Sequence, residues 1–102
     1  MNIGISDIEK ERLIATLVKV PGLRKAVVYG SRAKGTNKRF SDIDLTLVGD
    51  DLTYNDLNRL AYNIDDLLLP YQVDLSLYSK LKNPALIEHI NRVGQVIYES
   101  AQ

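Results

Sequence analysis

Apolar residues recur at helical spacing near the start of the chain. In "SDIEKERLIATLVKV" the pattern predicts one stripe of Ile8, Leu13, Ile14, Leu17 and Val18. Ser6 with Glu9 supplies the capping box that opens the helix, and Pro21-Gly22 stops it. "RKAVVYG" then reads as a short strand ending at Gly30. After a polar loop, "DIDLTLV" alternates cleanly. Ile43, Leu45 and Leu47 take one side, and Asp42, Asp44 and Thr46 the other.

"TYNDLNRLAYNIDDLLLP" predicts a second helix, with Thr53 and Asp56 at its start and Pro70 closing it. Its expected apolar stripe is Leu57, Leu60, Ala61, Ile64, Leu67 and Leu68. "QVDLSLY" alternates again, setting Val73, Leu75 and Leu77 opposite Gln72, Asp74 and Ser76. Asn83-Pro84 caps a last helix through about Val93, Gly94 ends it, and "QVIY" leaves room for a short terminal strand. The order α-β-β-α-β-α predicts an α+β fold, a small mixed sheet with helices packed on its apolar face.

Composition acts mainly by exclusion. The chain has 102 residues, read as a single domain over 1–102, with 45% hydrophobic and 25% charged residues, as in ordinary globular proteins. With no cysteine, disulfides and thiolate metal sites are ruled out. The N-terminus has no signal-peptide pattern, and no apolar run approaches the ~20 residues needed to span a bilayer. The expected compartment is the cytoplasm. Basic and acidic residues balance at 13 each, giving no reason to expect stable nucleic-acid binding by the chain alone. Their distribution is uneven. Arg32, Lys34, Lys38 and Arg39 share one loop, while Asp50, Asp51, Asp56, Asp65 and Asp66 follow it.

The loop and the strand after it hold the candidate chemistry. Residues i and i+2 of a strand point the same way, ~6.5–7 Å apart, so Asp42 and Asp44 share a face. Two like charges this close raise each other's pKa, a cost that a hard cation such as Mg²⁺ removes. Asp74 in "VDL", on another strand with the same alternation, is the candidate third oxygen source. Gly30 permits a turn and close backbone approach, and Ser31 offers an N–H and a hydroxyl to phosphate oxygens. Arg32 and Lys34 can neutralise a leaving polyphosphate. Together these parts describe phosphoryl or nucleotidyl transfer with one or two metal ions.

Each part alone has a plainer explanation: a turn, a solvated strand face, a solvated basic loop. Gly-Ser, ten residues and then D-x-D has a chance probability on the order of 10⁻³ for a chain this long. "GSRAKGT" is not a P-loop, since Lys34 precedes Gly35 instead of following it. His89, the one histidine, is expected at the surface or an interface, because no nucleophile or metal group lies near it in sequence. The six tyrosines are scattered and make no base-stacking platform; Tyr29 is expected as a strand-end core residue.

Gly30-Ser31-Arg32-Ala33-Lys34-Gly35, the ten-residue gap, Ser41-Asp42-Ile43-Asp44-Leu45 and Val73-Asp74-Leu75 resemble the DNA polymerase beta-like nucleotidyltransferases. The chain's shortness and its "NRVGQVIYE" ending resemble the minimal nucleotidyltransferase (MNT) group, which includes the MntA-type antitoxins. The resemblance implies that Gly30 and Ser31 hold ATP as substrate. It implies that Asp42 and Asp44 bind Mg²⁺, and that Asp74 completes the metal site and helps activate the attacking hydroxyl. Lys34 stands where many relatives have arginine, keeping the charge but losing the bidentate fork. Larger relatives append a helical acceptor-binding domain for which 102 residues leave no room, so an acceptor surface is expected from another molecule. The partner that the resemblance implies is a HEPN-type helical toxin, held in a hetero-oligomer and neutralised by adenylyl transfer to a tyrosine. The alternative is a module that neutralises its partner by contact without catalysis.

Overall fold

Two helix starts are written locally, and both form. The structure, a computed structural model, describes residues 3–38 and 41–101. Helix α1 spans Asp7–Leu17; the Ser6 hydroxyl accepts from Glu9 N–H at 3.1 Å and the Glu9 carboxylate accepts from Ser6 N–H at 3.0 Å. Thr53 and Asp56 repeat this reciprocal cap at the start of α3, Tyr54–Asp65. Strands β1 (Leu23–Tyr29), β2 (Ile43–Gly49) and β3 (Val73–Leu77) lie where the alternation predicts. A 3₁₀ turn at Tyr78–Lys80 leads to α4, Pro84–Val93, and the chain then forms β4, Gln95–Glu99. The basic loop contains one further short helix, α2, Ser31–Lys34.

The sheet has the order β3-β2-β1-β4. Strand β1 runs antiparallel to β2 and β4, whereas β2 and β3 are parallel, joined by the α3 crossover. One face carries the core: Ala26, Val28, Ile43, Leu45, Leu47, Leu77 and Ile97 pack with Leu13, Leu17, Leu60 and Ile64 from α1 and α3.

The predicted helical stripes are only partly buried. Ile8 is 63% exposed, because at 3.6 residues per turn it lies about 140° around the axis from Leu13. Val18, 59% exposed, falls just beyond the last turn of α1. The second helix ends at Asp65, before Pro70 is reached, and Leu68 adopts φ 55° with 87% of its surface in solvent. Leu69 turns back onto the core instead.

Helices α1 and α3 cover the apolar face, as expected; α4 lies on the other one. Val27 and Ile90 are buried there, outside the main core cluster, and a Cβ on Gly94 would come within 2.7 Å of Val27. That face also carries the carboxylates. Among the described residues, no helix is long and apolar enough to cross a membrane.

Candidate active site

The chain leaves β1 through a glycine that the local packing demands. Gly30 has φ 75° and ψ −151°, a conformation side chains rarely adopt, and a Cβ there would strike the Asp44 carboxylate. Asp44 therefore rests against the turn backbone. Beyond Gly30 the Ser31–Lys34 helical turn closes with Lys34 N–H donating to the Gly30 carbonyl at 3.2 Å. The Ser31 side chain is half-buried at this turn, whereas Lys34 is exposed.

Parallel pairing of β2 and β3 sets Asp44 directly beside Asp74, and antiparallel pairing sets Asp44 beside Tyr29. Asp42 and Asp74 are exposed and Asp44 is half-buried. Burial, then the neighbouring Asp74 and Asp42 charges, push the Asp44 carboxyl above its ordinary pKa. Tyr29 is pushed up by burial, and also by the charges of Asp44 and Asp74, against a lowering hydrogen bond from Ser76. Deeper on the same face Ser76 donates its hydroxyl to Thr46 Oγ1 at 2.9 Å, so the floor of the site is polar and satisfied.

The donor set has the chemistry that suits a hard cation: carboxylate oxygens, with Asp44 held against its own ionisation first by burial and then by the charges of Asp74 and Asp42. Asp42, Asp44 and Asp74 are the residues that could hold such an ion. Among the described residues no three acidic, histidine or cysteine side chains stand together as a metal cage.

Arg32 is not available to a triphosphate. Its side chain is fully buried at 0% exposure. Nε and Nη2 donate to the Ser41 carbonyl at 3.1 and 2.8 Å, and Nη1 donates to the Ile3 carbonyl at 2.7 Å. The guanidinium lies 4.5 Å from the centre of the Tyr71 ring, and the Tyr71 hydroxyl donates to Glu9 at 2.8 Å. Arg32 is a strut that ties the basic loop to the residue preceding Asp42, which corrects its expected role as a phosphate ligand. Lys34 and Lys38 remain exposed; Arg39 lies outside the described residues.

His89 is the residue that sequence reasoning set aside. Helix α4 carries it onto the carboxylate face, where Gly30 N–H donates to its Nε2 at 3.0 Å. A usable signal was its helical phase: His89 lies between Leu86 and Val93 on the side of α4 that also carries the buried Ile90.

Residues 11–102 match the family model described as polymerase beta, nucleotidyltransferase. The chain belongs to this family. Like its other members it is a nucleotidyltransferase, and the turn, the D-x-D strand and Asp74 lie within the matched region. A relative in Methanocaldococcus jannaschii, provisionally named a protein adenylyltransferase, is 33% identical over 82 residues, covering 79% of this chain and 85% of its own. A toxin–antitoxin crystal structure with AMP-PNP contains a chain 25% identical, with TM-score 0.72, covering 91% of this chain and 75% of that one. The complex of a tri-AMPylated Shewanella oneidensis HEPN toxin with an MNT antitoxin contains a chain of the same fold. It is 19% identical with TM-score 0.69, covering 94% of this chain and 74% of that one.

Proposed function

We propose that this nucleotidyltransferase is a Mg²⁺-dependent adenylyltransferase of the cytoplasm that moves AMP from ATP to a hydroxyl, foremost a tyrosine, of a HEPN-type partner, and so acts as an antitoxin. One observation supports the chemistry: Asp44 and Asp74 are register partners on one face, with the Gly30 backbone lying against Asp44 and the Asp42 charge acting on it. The AMP-PNP and AMPylated-toxin complexes of related fold support the nucleotide and the partner.

Gly30 and Ser31 hold the triphosphate, the glycine by close backbone approach and the serine through its N–H and hydroxyl. Lys34, exposed at the end of α2, offsets the charge that builds on the departing pyrophosphate. The acceptor oxygen bonds to the α-phosphorus as the bond from that phosphorus to the bridging oxygen breaks, releasing pyrophosphate. The hydroxyl proton passes to a carboxylate oxygen of Asp74. Asp42, Asp44 and Asp74 would hold a divalent ion, which when bound would supply charge neutralisation for the transfer.

The test is intact-mass spectrometry of a HEPN partner encoded beside the gene, after co-expression. Additions of AMP on tyrosine, absent with Asp42→Asn, are expected. The alternative reading is a module that neutralises its partner by contact without catalysis. A partner that is bound and neutralised but carries no added mass would establish that reading instead.

A further inference from the structure

A single hydrogen bond ties the nucleotide turn to α4. The Gly30 amide donates to His89 Nε2 across 3.0 Å, joining residues 59 positions apart. A backbone N–H can only donate, so Nε2 is the acceptor in this contact. The same ring meets Tyr29 edge-on, with centroids 6.3 Å apart and planes at 81°. His89 therefore touches both residues that lead the chain into Ser31. On its other side Gly30 abuts the Asp44 carboxylate.

Glycine at positive φ is the point in the turn with the most conformational freedom, so it gains most from an external restraint. The restraint acts on the peptide plane between Tyr29 and Gly30, because that plane contains the donated N–H. It also commits this N–H to the protein, leaving phosphate contact to Ser31 and the residues after it.

We propose that His89 is a positioning residue for the nucleotide turn, fixing by its Nε2 the Tyr29–Gly30 peptide plane, from which the chain enters Gly30 and Ser31. The inference rests on Gly30-Ser31 being the turn that holds the triphosphate. His89 acts through Gly30 and touches no substrate. Its contribution is preorganisation, which improves nucleotide affinity by lowering the ordering cost of binding.

Two substitutions separate the acceptor atom from the ring. His89→Gln keeps a side-chain oxygen able to accept from Gly30 and removes the ring. His89→Phe keeps an edge contact for Tyr29 and removes the acceptor. Gly30 amide exchange is followed by NMR, and AMP-PNP affinity in Mg²⁺ by calorimetry. His89→Phe is expected to speed Gly30 exchange and weaken binding by about three- to tenfold, the worth of one ordinary hydrogen bond, with Tm unchanged. His89→Gln is expected to match the wild type in both.

Equal affinity in all three proteins overturns the proposal. So does equal weakening in both variants that tracks a fall in Tm, since that is a packing role. A wild-type protein that protects Gly30 yet binds no AMP-PNP removes the nucleotide reading of the turn, and the inference with it. The wild type alone tells this outcome from the others.

Discussion

Asp44 and Asp74 are register partners in the parallel β2–β3 pair, so two carboxylates share one step of the sheet. Burial and these neighbours raise the Asp44 pKa. The folded protein thus keeps a proton on Asp44 at pH values where the unfolded chain, titrating near ~3.9, has released it. The contribution of Asp44 is most favourable below that unfolded value and declines as pH rises through the folded one. Asp44→Asn should therefore remove this part of the pH dependence and raise Tm in EDTA at pH 7. Mg²⁺ should raise the Tm of the wild type and not of the variant, because an ion bound only by the folded state stabilises it. Thermal denaturation across pH 3–7, with EDTA and with Mg²⁺, checks both; a wild-type Tm that ignores Mg²⁺ would count against the metal site.

Asp74 differs from the D-x-D pair in standing on another strand, β3. Asp74→Asn should keep most nucleotide affinity while slowing transfer by ~10²–10⁴-fold, the range expected for loss of a general base. Asp44→Asn should lose affinity and transfer together. Calorimetry beside single-turnover transfer makes the comparison. Equal loss of affinity in both variants would place Asp74 in metal binding alone.

Arg32 gives a stability prediction where the sequence suggested a binding one. Removing its guanidinium leaves the Ile3 and Ser41 carbonyls without their donors. Arg32→Met should cost about 3 kcal/mol, since hydrogen bonds to a charged group are each worth ~1.5–3 kcal/mol and partial relaxation recovers some of it. Urea unfolding measures this directly. A variant of undiminished stability and poor nucleotide affinity would restore Arg32 as a phosphate ligand.

The contrast between Arg32 and the caps shows what was legible in the chain. Capping boxes are local: Ser6 with Glu9 and Thr53 with Asp56 lie three residues apart, and both formed as read. Strand alternation likewise assigned Asp44 and Asp74 to a common face without knowledge of the partners, while Asp42 lies just before β2. Arg32 and His89 depend on groups that leave no mark in sequence. The partners of Arg32 are backbone carbonyls and the ring of Tyr71, and His89 meets an amide 59 positions away. The stripe errors have another cause. Ile8, Val18 and Leu68 are apolar enough to extend a helical pattern, but Ile8 is out of phase with the buried face and Val18 and Leu68 lie beyond the helix ends.

Gly30 and Gly35 bracket α2 and share a positive φ, 75° and 76°, so they form an internal control. At Gly35 the backbone is in the left-handed helical region and a Cβ would meet nothing within 4 Å. Gly35→Ala should therefore cost only the conformational strain of about 1 kcal/mol and leave Mg²⁺-dependent nucleotide binding unchanged. Gly30 combines its positive φ with ψ −151°, a region open almost solely to glycine, where strain is about 1–3 kcal/mol. Its new methyl would also displace the Asp44 carboxylate. Gly30→Ala should thus lower stability by about 2–3 kcal/mol and weaken AMP-PNP binding by at least about tenfold, because turn and carboxylate move together. Urea unfolding and calorimetry on the two variants separate strain from displacement. Parallel losses of affinity in both would make backbone strain the cause, and retained affinity in Gly30→Ala would remove the contact with Asp44 from the binding site.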